Sequence, residues 1–410
     1  MRRASSTLVL GTKYQKLNAH VVKLVNTLHS GCSELKLLEV RVFSWAQAIR
    51  SKAGFFCFYT MRIAILHTNP YYQEIEELIL DIISNFKVKD FNLFEIKYSD
   101  FKWYKLSKII ELRRFLKINK IDIIHTYHYL DAFYALLASK GLKVNVVYSC
   151  YSYYDNIKGF HKKAFEKVLN NVDSIIFQTD TQKNRFVSKY NLDPKKHFKL
   201  LHGFSLKRFD KFKFNSLRDE FFIDDFKYIV GTLGDFTPEH DVLNVFKMVK
   251  KLRKTGRNFT CLVAGDEVEE YDSYFDDCKY YYLSQGLDNY INFINHRYDI
   301  ANYLSQLDVF VYHSDNEAVS IPVIQALISG VNVVVNDNEM IREITRNGKY
   351  AILYKSNDAA DFAEKTRQIL IDLEDYQLIA ETVQEECREI FCIDRHVSGL
   401  RDIYLKVKKL

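Results

Sequence analysis

Apolar positions along this chain fall into two alternating rhythms. Short runs of aliphatic, β-branched and aromatic residues alternate with longer stretches in which apolar residues recur every third or fourth position. From residue 61 the runs fall at 62–67, 92–97, 121–125, 144–149, 173–178 and 198–202, with helical periodicity at 71–86, 103–119, 130–140, 160–170 and 180–190. A second series opens at Lys227 with KYIVGTLGDF and continues at 259–264, 291–294, 308–312, 331–335 and 351–353, with helices between that include 239–255 and 317–329. Strand alternating with helix predicts parallel sheets flanked by helices. The pattern runs through twice, so it predicts an α/β chain of two Rossmann-like, doubly wound domains, 61–225 and 226–393. They face each other across a cleft at the carboxyl ends of their strands. The charged segment 210–226 is the expected boundary, and 394–410 reads as a last helix returning to the first domain.

One stretch stands out within this rhythm, DVFVYHSDNEAVSIPVIQALISG from Asp308 to Gly330. A buried strand passes into a polar loop. Ser320 then takes a helix N-cap position, Pro322 is tolerated in the first turn, and Gly330 fits the stop. Unpaired N–H groups at such a helix start make an anion site. Glu317 stands just ahead of it, and phosphate binding does not explain a carboxylate there. A carboxylate beside a phosphate site suits hydroxyl groups, or positive charge developing next to the phosphate.

Composition narrows the class. With 410 residues the chain is too long for one ordinary core, and its net charge of +6 permits an anionic partner without requiring one. Seven scattered cysteines without a CxxC pair argue against zinc or a disulfide framework and fit a reducing cytosol. Residues 1–60 carry nine Lys and Arg against two acids and lack the strand–helix rhythm. They read as an extension ahead of a functional start at Met61, or as a basic organelle presequence. Basic and aromatic residues form no recognised nucleic-acid module, so nucleic acid is not an expected partner. The segment FKWYKLSKIIELRRFLKINK (101–120) holds seven basic residues and one acid, with Trp103, Leu106, Ile110 and Leu116 among its apolar positions. It reads as a packing helix whose outward face suits an anionic bilayer surface.

On these residues the chain resembles the retaining glycosyltransferases of the GT-B fold, glycosyltransferase family 4. Asp308, Val309, Ser314, Glu317, Ala326 and Gly330 match the family's most specific stretch, in which its second Glu is replaced here by Gln325. Further matching stretches are 121–140, 171–186, 199–209, 258–266 and 287–314. The resemblance implies a nucleotide diphosphate sugar bound mainly to the second domain and an acceptor, saccharide or lipid-linked, held by the first. The sugar would pass with its anomeric configuration retained, with no metal and no cofactor beyond the donor itself.

The resemblance also implies roles. Glu317 would contact the donor sugar near its anomeric carbon, and His128 would lie near acceptor and donor. Gln325 would meet the ribose, the amides of Ala318, Val319 and Ser320 would face the diphosphate, and Gly231 and Asp266 would line the donor pocket. The family's Arg and Lys after the first strand of the second domain are replaced by Asp235 and His240. That leaves His240 as a phosphate or sugar contact, and Lys207, Arg208 or Arg297 as sources of the diphosphate's counter-charge. The expected activity is a sugar transfer in surface polysaccharide, lipopolysaccharide or glycolipid synthesis, in the cytoplasm or peripherally on its membrane face. The alternatives are a binding or assembly subunit that keeps the fold, and another enzyme of this architecture such as a sugar-nucleotide epimerase.

Overall fold

The computed structural model describes residues 38–43 (backbone), 60–68, 73–86, 91–98, 106–211, 213–315 and 317–409. Trp103 and residues 69–72 lie outside the described residues. The strands are β1 (Leu38–Phe43), β2 (Met61–Thr68), β3 (Phe91–Tyr98), β4 (Ile123–Thr126), β5 (Asn145–Cys150), β6 (Ser174–Phe177) and β7 (Phe198–Lys199) in the first half. The second half holds β8 (Tyr228–Leu233), β9 (Phe259–Ala264), β10 (Ile291–Phe293), β11 (Val309–Tyr312), β12 (Asn332–Asn336) and β13 (Ile352–Tyr354).

They build two sheets, ordered β1-β3-β2-β4-β5-β6-β7 and β10-β9-β8-β11-β12-β13. Apart from β1, which joins β3 antiparallel, every named pairing is parallel. A parallel strand buries both faces, which is why its sequence reads as a near-continuous apolar run; β9 (FTCLVA) and β11 (VFVY) are buried at every position. Each sheet is doubly wound around a first strand, β2 or β8, with later strands added on both sides. This is the two-domain, Rossmann-like GT-B architecture. β1 places residues 38–43, which carried no expected element, at the edge of the first sheet.

The helices fill both faces of each sheet. The C-terminal helix, Ile393–Val407, crosses back to the first domain. Its Ile393, Val397, Leu400, Tyr404 and Val407 join Ile63, Ile65 and Ile123 in one buried cluster. At its end Lys408 reaches Asp122 at 2.7 Å. His125, at the end of β4, lies between the Tyr404 hydroxyl (2.7 Å) and the Ser149 hydroxyl (2.8 Å) and is fully buried. It is a structural link between domain and tail.

Candidate active site

In the second sheet the winding changes direction between β8 and β11, so the loops after these neighbouring strands diverge and leave a crevice. After β8 the chain turns through Gly234 and Asp235. The helix expected from residue 239 begins only at Val242, because Asp241 adopts a left-handed φ of 35°. His240 therefore stays in the loop. After β11 the helix expected from 317 begins at Ile321. Ser320 holds the N-cap position without a side-chain capping bond, Pro322 sits in the first turn, and Gly330 closes the helix at φ +77°. Glu317 is thus also a loop residue.

The two loops meet at these side chains. His240 Nε2 lies 3.1 Å from Glu317 Oε1, and the Tyr312 hydroxyl donates to the same oxygen at 2.7 Å. His240 Nδ1 lies 3.1 Å from the Asp235 carbonyl oxygen. A carbonyl and a carboxylate can only accept, so both ring nitrogens carry protons and the ring is an imidazolium. Burial alone would lower the His240 pKa. The hydrogen bond and charge of Glu317, with the Asp235 carbonyl, outweigh burial and push it up to about 9.

The second oxygen of Glu317, Oε2, is buried and has no hydrogen-bond partner among the described residues; the hydroxyls of Ser314 and Ser320 are in the same condition. Buried polar atoms left unpaired are costly, so a loop that holds several together marks a place for a ligand's hydroxyl and phosphate groups. The loop itself is held firmly. His313, fully buried, lies 2.5 Å from the Tyr354 hydroxyl and 3.2 Å from Asn244 Nδ2. The Asn336 side chain accepts from the Ser314 amide and donates to its carbonyl, both at 3.1 Å.

Ala318, Val319 and Ser320 are buried beside Glu317, and among the described residues their amides donate to no protein acceptor. Gln325 lies a turn along the Ile321–Ser329 helix and is almost wholly buried. Gly231 lies inside β8, where a Cβ would come within 2.6 Å of Tyr303 and Leu307. Asp266 serves the loop frame, its amide donating to Asp235 Oδ1 and its own carboxylate accepting from the His296 amide, each at 2.9 Å. Asp235 therefore uses its carboxylate to hold a neighbouring loop.

The candidate cations differ in their surroundings. Arg208 is paired with Glu77 and Asp81 of the first domain. Arg297 holds Asp299 at 2.7 Å and Glu220 at 2.6 Å. Both guanidinium groups are committed to carboxylates, whereas Lys207 is exposed at the start of the short Lys207–Asp210 helix. His240 is the cation that the fold brings to Glu317.

On the first-domain side, β2 and β4 form the corresponding switch point. His128 is the N-cap of the Tyr129–Ser139 helix, and its Nδ1 accepts from the Leu130 amide at 3.2 Å. Its ring packs near Tyr129 and Tyr154. Burial, then nearby His161, lowers its pKa to about 3, so the ring is neutral. Thr68, ending β2, donates to Asp131 at 2.5 Å, and burial lifts that carboxyl to about 7 against the effect of the Thr68 bonds.

Two known families match the chain, one in each half. The family described as Glycosyltransferase Family 4 matches residues 66–204, and Glycosyl transferases group 1 matches 213–386. The chain belongs to the GT-B glycosyltransferases. A curated relative is the N,N'-diacetylbacillosaminyl-diphospho-undecaprenol alpha-1,3-N-acetylgalactosaminyltransferase of Campylobacter jejuni, 24% identical over 344 residues, covering 78% of this chain and 87% of the relative. Among solved structures, a glycosyltransferase of Rickettsia africae superposes with a TM-score of 0.70 at 18% identity, covering 85% of this chain and 99% of its own. Anabaena Alr3699/HepE in complex with UDP gives 0.70 at 13% identity, over 85% of this chain and 100% of its own. At these identities the structural likeness establishes the fold.

Sequence reading found Glu317 and His240 separately. It missed Tyr312, which closes an apolar strand and reads as core. The available signal was its position at the strand's carboxyl end, where a phenol can turn its hydroxyl into the following loop.

Proposed function

We propose that the cleft carries out a retaining, metal-independent transfer of a sugar from a nucleotide diphosphate sugar to a saccharide or lipid-linked acceptor, in the synthesis of a surface polysaccharide, lipopolysaccharide or glycolipid. The observation that carries this reading is Glu317. One of its oxygens is pinned by an imidazolium and a phenol, and the other is buried without a partner among the described residues, at the switch point of the second sheet. In such a transfer the bond from the anomeric carbon to the diphosphate oxygen breaks, and a bond to the acceptor oxygen forms. The acceptor's proton leaves with the diphosphate. Positive charge builds on the sugar and negative charge on the departing oxygen. Glu317 Oε2 is suited to the sugar's hydroxyls. The His240 imidazolium and the amides of Ala318, Val319 and Ser320 are suited to the diphosphate, with Gln325 to the ribose and His128 on the acceptor side.

UDP in the Anabaena structure and the undecaprenol-linked substrate in the Campylobacter relative's name support a nucleotide donor and a lipid-linked acceptor here. No helix among the described residues is long and apolar enough to cross a membrane. The Leu106–Ile118 helix has Leu112 and Leu116 inward and Leu106, Ile110 and Ile118 exposed beside Arg114 and Lys117. Arg113 is used to dock this helix, donating to the carbonyls of Ala138 (2.9 Å) and Lys140 (2.6 Å). The outer face suits peripheral contact with anionic lipid on the cytoplasmic side.

The test is incubation of the full chain with UDP-, GDP- and ADP-sugars, with and without a chelator. One donor is expected to raise the melting temperature and to be hydrolysed slowly with its configuration kept, indifferent to the chelator and lost in Glu317→Ala. The commitment of Arg208 and Arg297 to carboxylates favours the second reading, a binding or assembly subunit. Absence of stabilisation by every donor would decide for it.

A further inference from the structure

The loop that carries Glu317 is held by the other domain. Ala318 packs with its methyl in the first domain's core cluster, among residues that include Tyr153, Phe177 and Phe186. Its carbonyl accepts from the Thr179 hydroxyl at 3.2 Å. Thr179 is the N-cap of the Asp180–Tyr190 helix, and its oxygen also accepts from the Gln182 amide at 3.1 Å. That bond uses a lone pair and leaves the hydroxyl proton directed at Ala318.

Next to it, a carboxylate crosses in the opposite direction. Glu343, from the second domain's Glu339–Ile344 helix, accepts from the Asp180 amide on Oε1 (2.7 Å) and from the Thr181 amide (2.9 Å) and hydroxyl (3.0 Å) on Oε2. Lys199 pairs with the same carboxylate at 2.7 Å. A carboxylate is the favoured partner for the free N–H groups of a helix start, and here it comes from across the cleft. These bonds exist only while the two halves are together.

We propose that Glu343 and Thr179 are positioning residues: Glu343 latches the halves, and Thr179 with Ala318 sets the loop that presents Glu317. Its bearing on donor binding rests on the transferase reading; the latch itself does not. If the loop is in register only when latched, the apparent affinity for donor is scaled by the latched fraction.

The experiment is hydrogen–deuterium exchange and small-angle scattering on the full chain, comparing wild type with Glu343→Ala, Glu343→Gln, Thr179→Val and Thr179→Ser. Exchange at residues 180–181 and 317–321 is expected to rise about fivefold or more in Glu343→Ala, with a larger radius of gyration and a smaller change in Glu343→Gln. Thr179→Val should raise exchange at 317–321, and Thr179→Ser should restore it. If 180–181 loosens while 317–321 does not, Glu343 is only a local helix cap and the proposal fails. It fails equally if neither segment changes. Should Glu343→Ala not fold, Glu343→Gln and Thr179→Val give the same two readouts. Neither readout needs turnover, so an inactive wild type would count against the transferase reading and leave the latch to be judged separately. Where donor is turned over, KM should rise about tenfold in Glu343→Ala with kcat affected less.

Discussion

The switch points of the two sheets place histidines at equivalent parts of a shared topology and leave them in opposite charge states. In the first domain His128 faces an amide and aromatic rings, and His125 faces hydroxyls; burial holds both near a pKa of about 3, with a neighbouring histidine adding to the effect. In the second domain His240 is pulled to about 9 although burial opposes it, because its two nitrogens meet a carboxylate and a carbonyl. Burial sets only the cost of charge; the partner decides whether the cost is met. The first domain thus offers neutral hydrogen-bonding groups, suited to an acceptor's hydroxyls. The second offers a fixed ion pair, suited to a donor whose sugar and diphosphate develop opposite charges.

Removing one member of the ion pair should break this contrast most severely. In Glu317→Ala donor turnover should fall about 10²- to 10³-fold, and the His240 pKa should fall from about 9 as only Asp235 is left to oppose burial. Replacing the cation while keeping the carboxylate is the next largest change. His240→Gln should weaken donor binding about 10- to 100-fold by calorimetry, whereas His240→Lys should restore part of it.

The pH profile of stability sharpens the same comparison. The His240 contribution is fully present below 6.5 and is lost as pH rises through about 9, because the folded state then holds a proton that the unfolded state has released. His125 and His128 act in the opposite sense. Folded chains refuse protons that unfolded chains take up, so stability falls as pH drops from 6.5 toward about 3. Melting temperatures should therefore decline on both sides of a maximum, and His240→Gln should flatten only the alkaline limb. A smaller effect is expected of Tyr312→Phe. It removes one hydrogen bond to Glu317 and should cost about 1 kcal/mol in donor binding with the fold intact.

Local rhythm made much of this legible in the sequence. Alternating periods gave the strands and the doubled winding, and Ser320 and Gly330 bounded the helix after β11 because caps are written in adjacent residues. Contacts between distant segments were not legible. Arg208 stands against Glu77 and Asp81, over a hundred positions earlier, a pairing that local periodicity does not register. The need for a glycine at 231 comes from Tyr303 and Leu307, more than seventy positions later. Periodicity alone does not register that a polar residue ahead of a helix is held out in a loop: His240 precedes a helix that begins at Val242 rather than 239, and only the Ser320 cap separates Glu317 from the helix after β11.

The most direct test of the ion pair as a donor site is ¹⁵N NMR of the His240 ring while a panel of nucleotide sugars is titrated in at neutral pH. Both ring nitrogens should be protonated in the free protein, and one donor should shift them saturably, an effect lost in Glu317→Gln. A neutral ring in the free protein, or a ring that no nucleotide sugar perturbs, would contradict the assignment of this site.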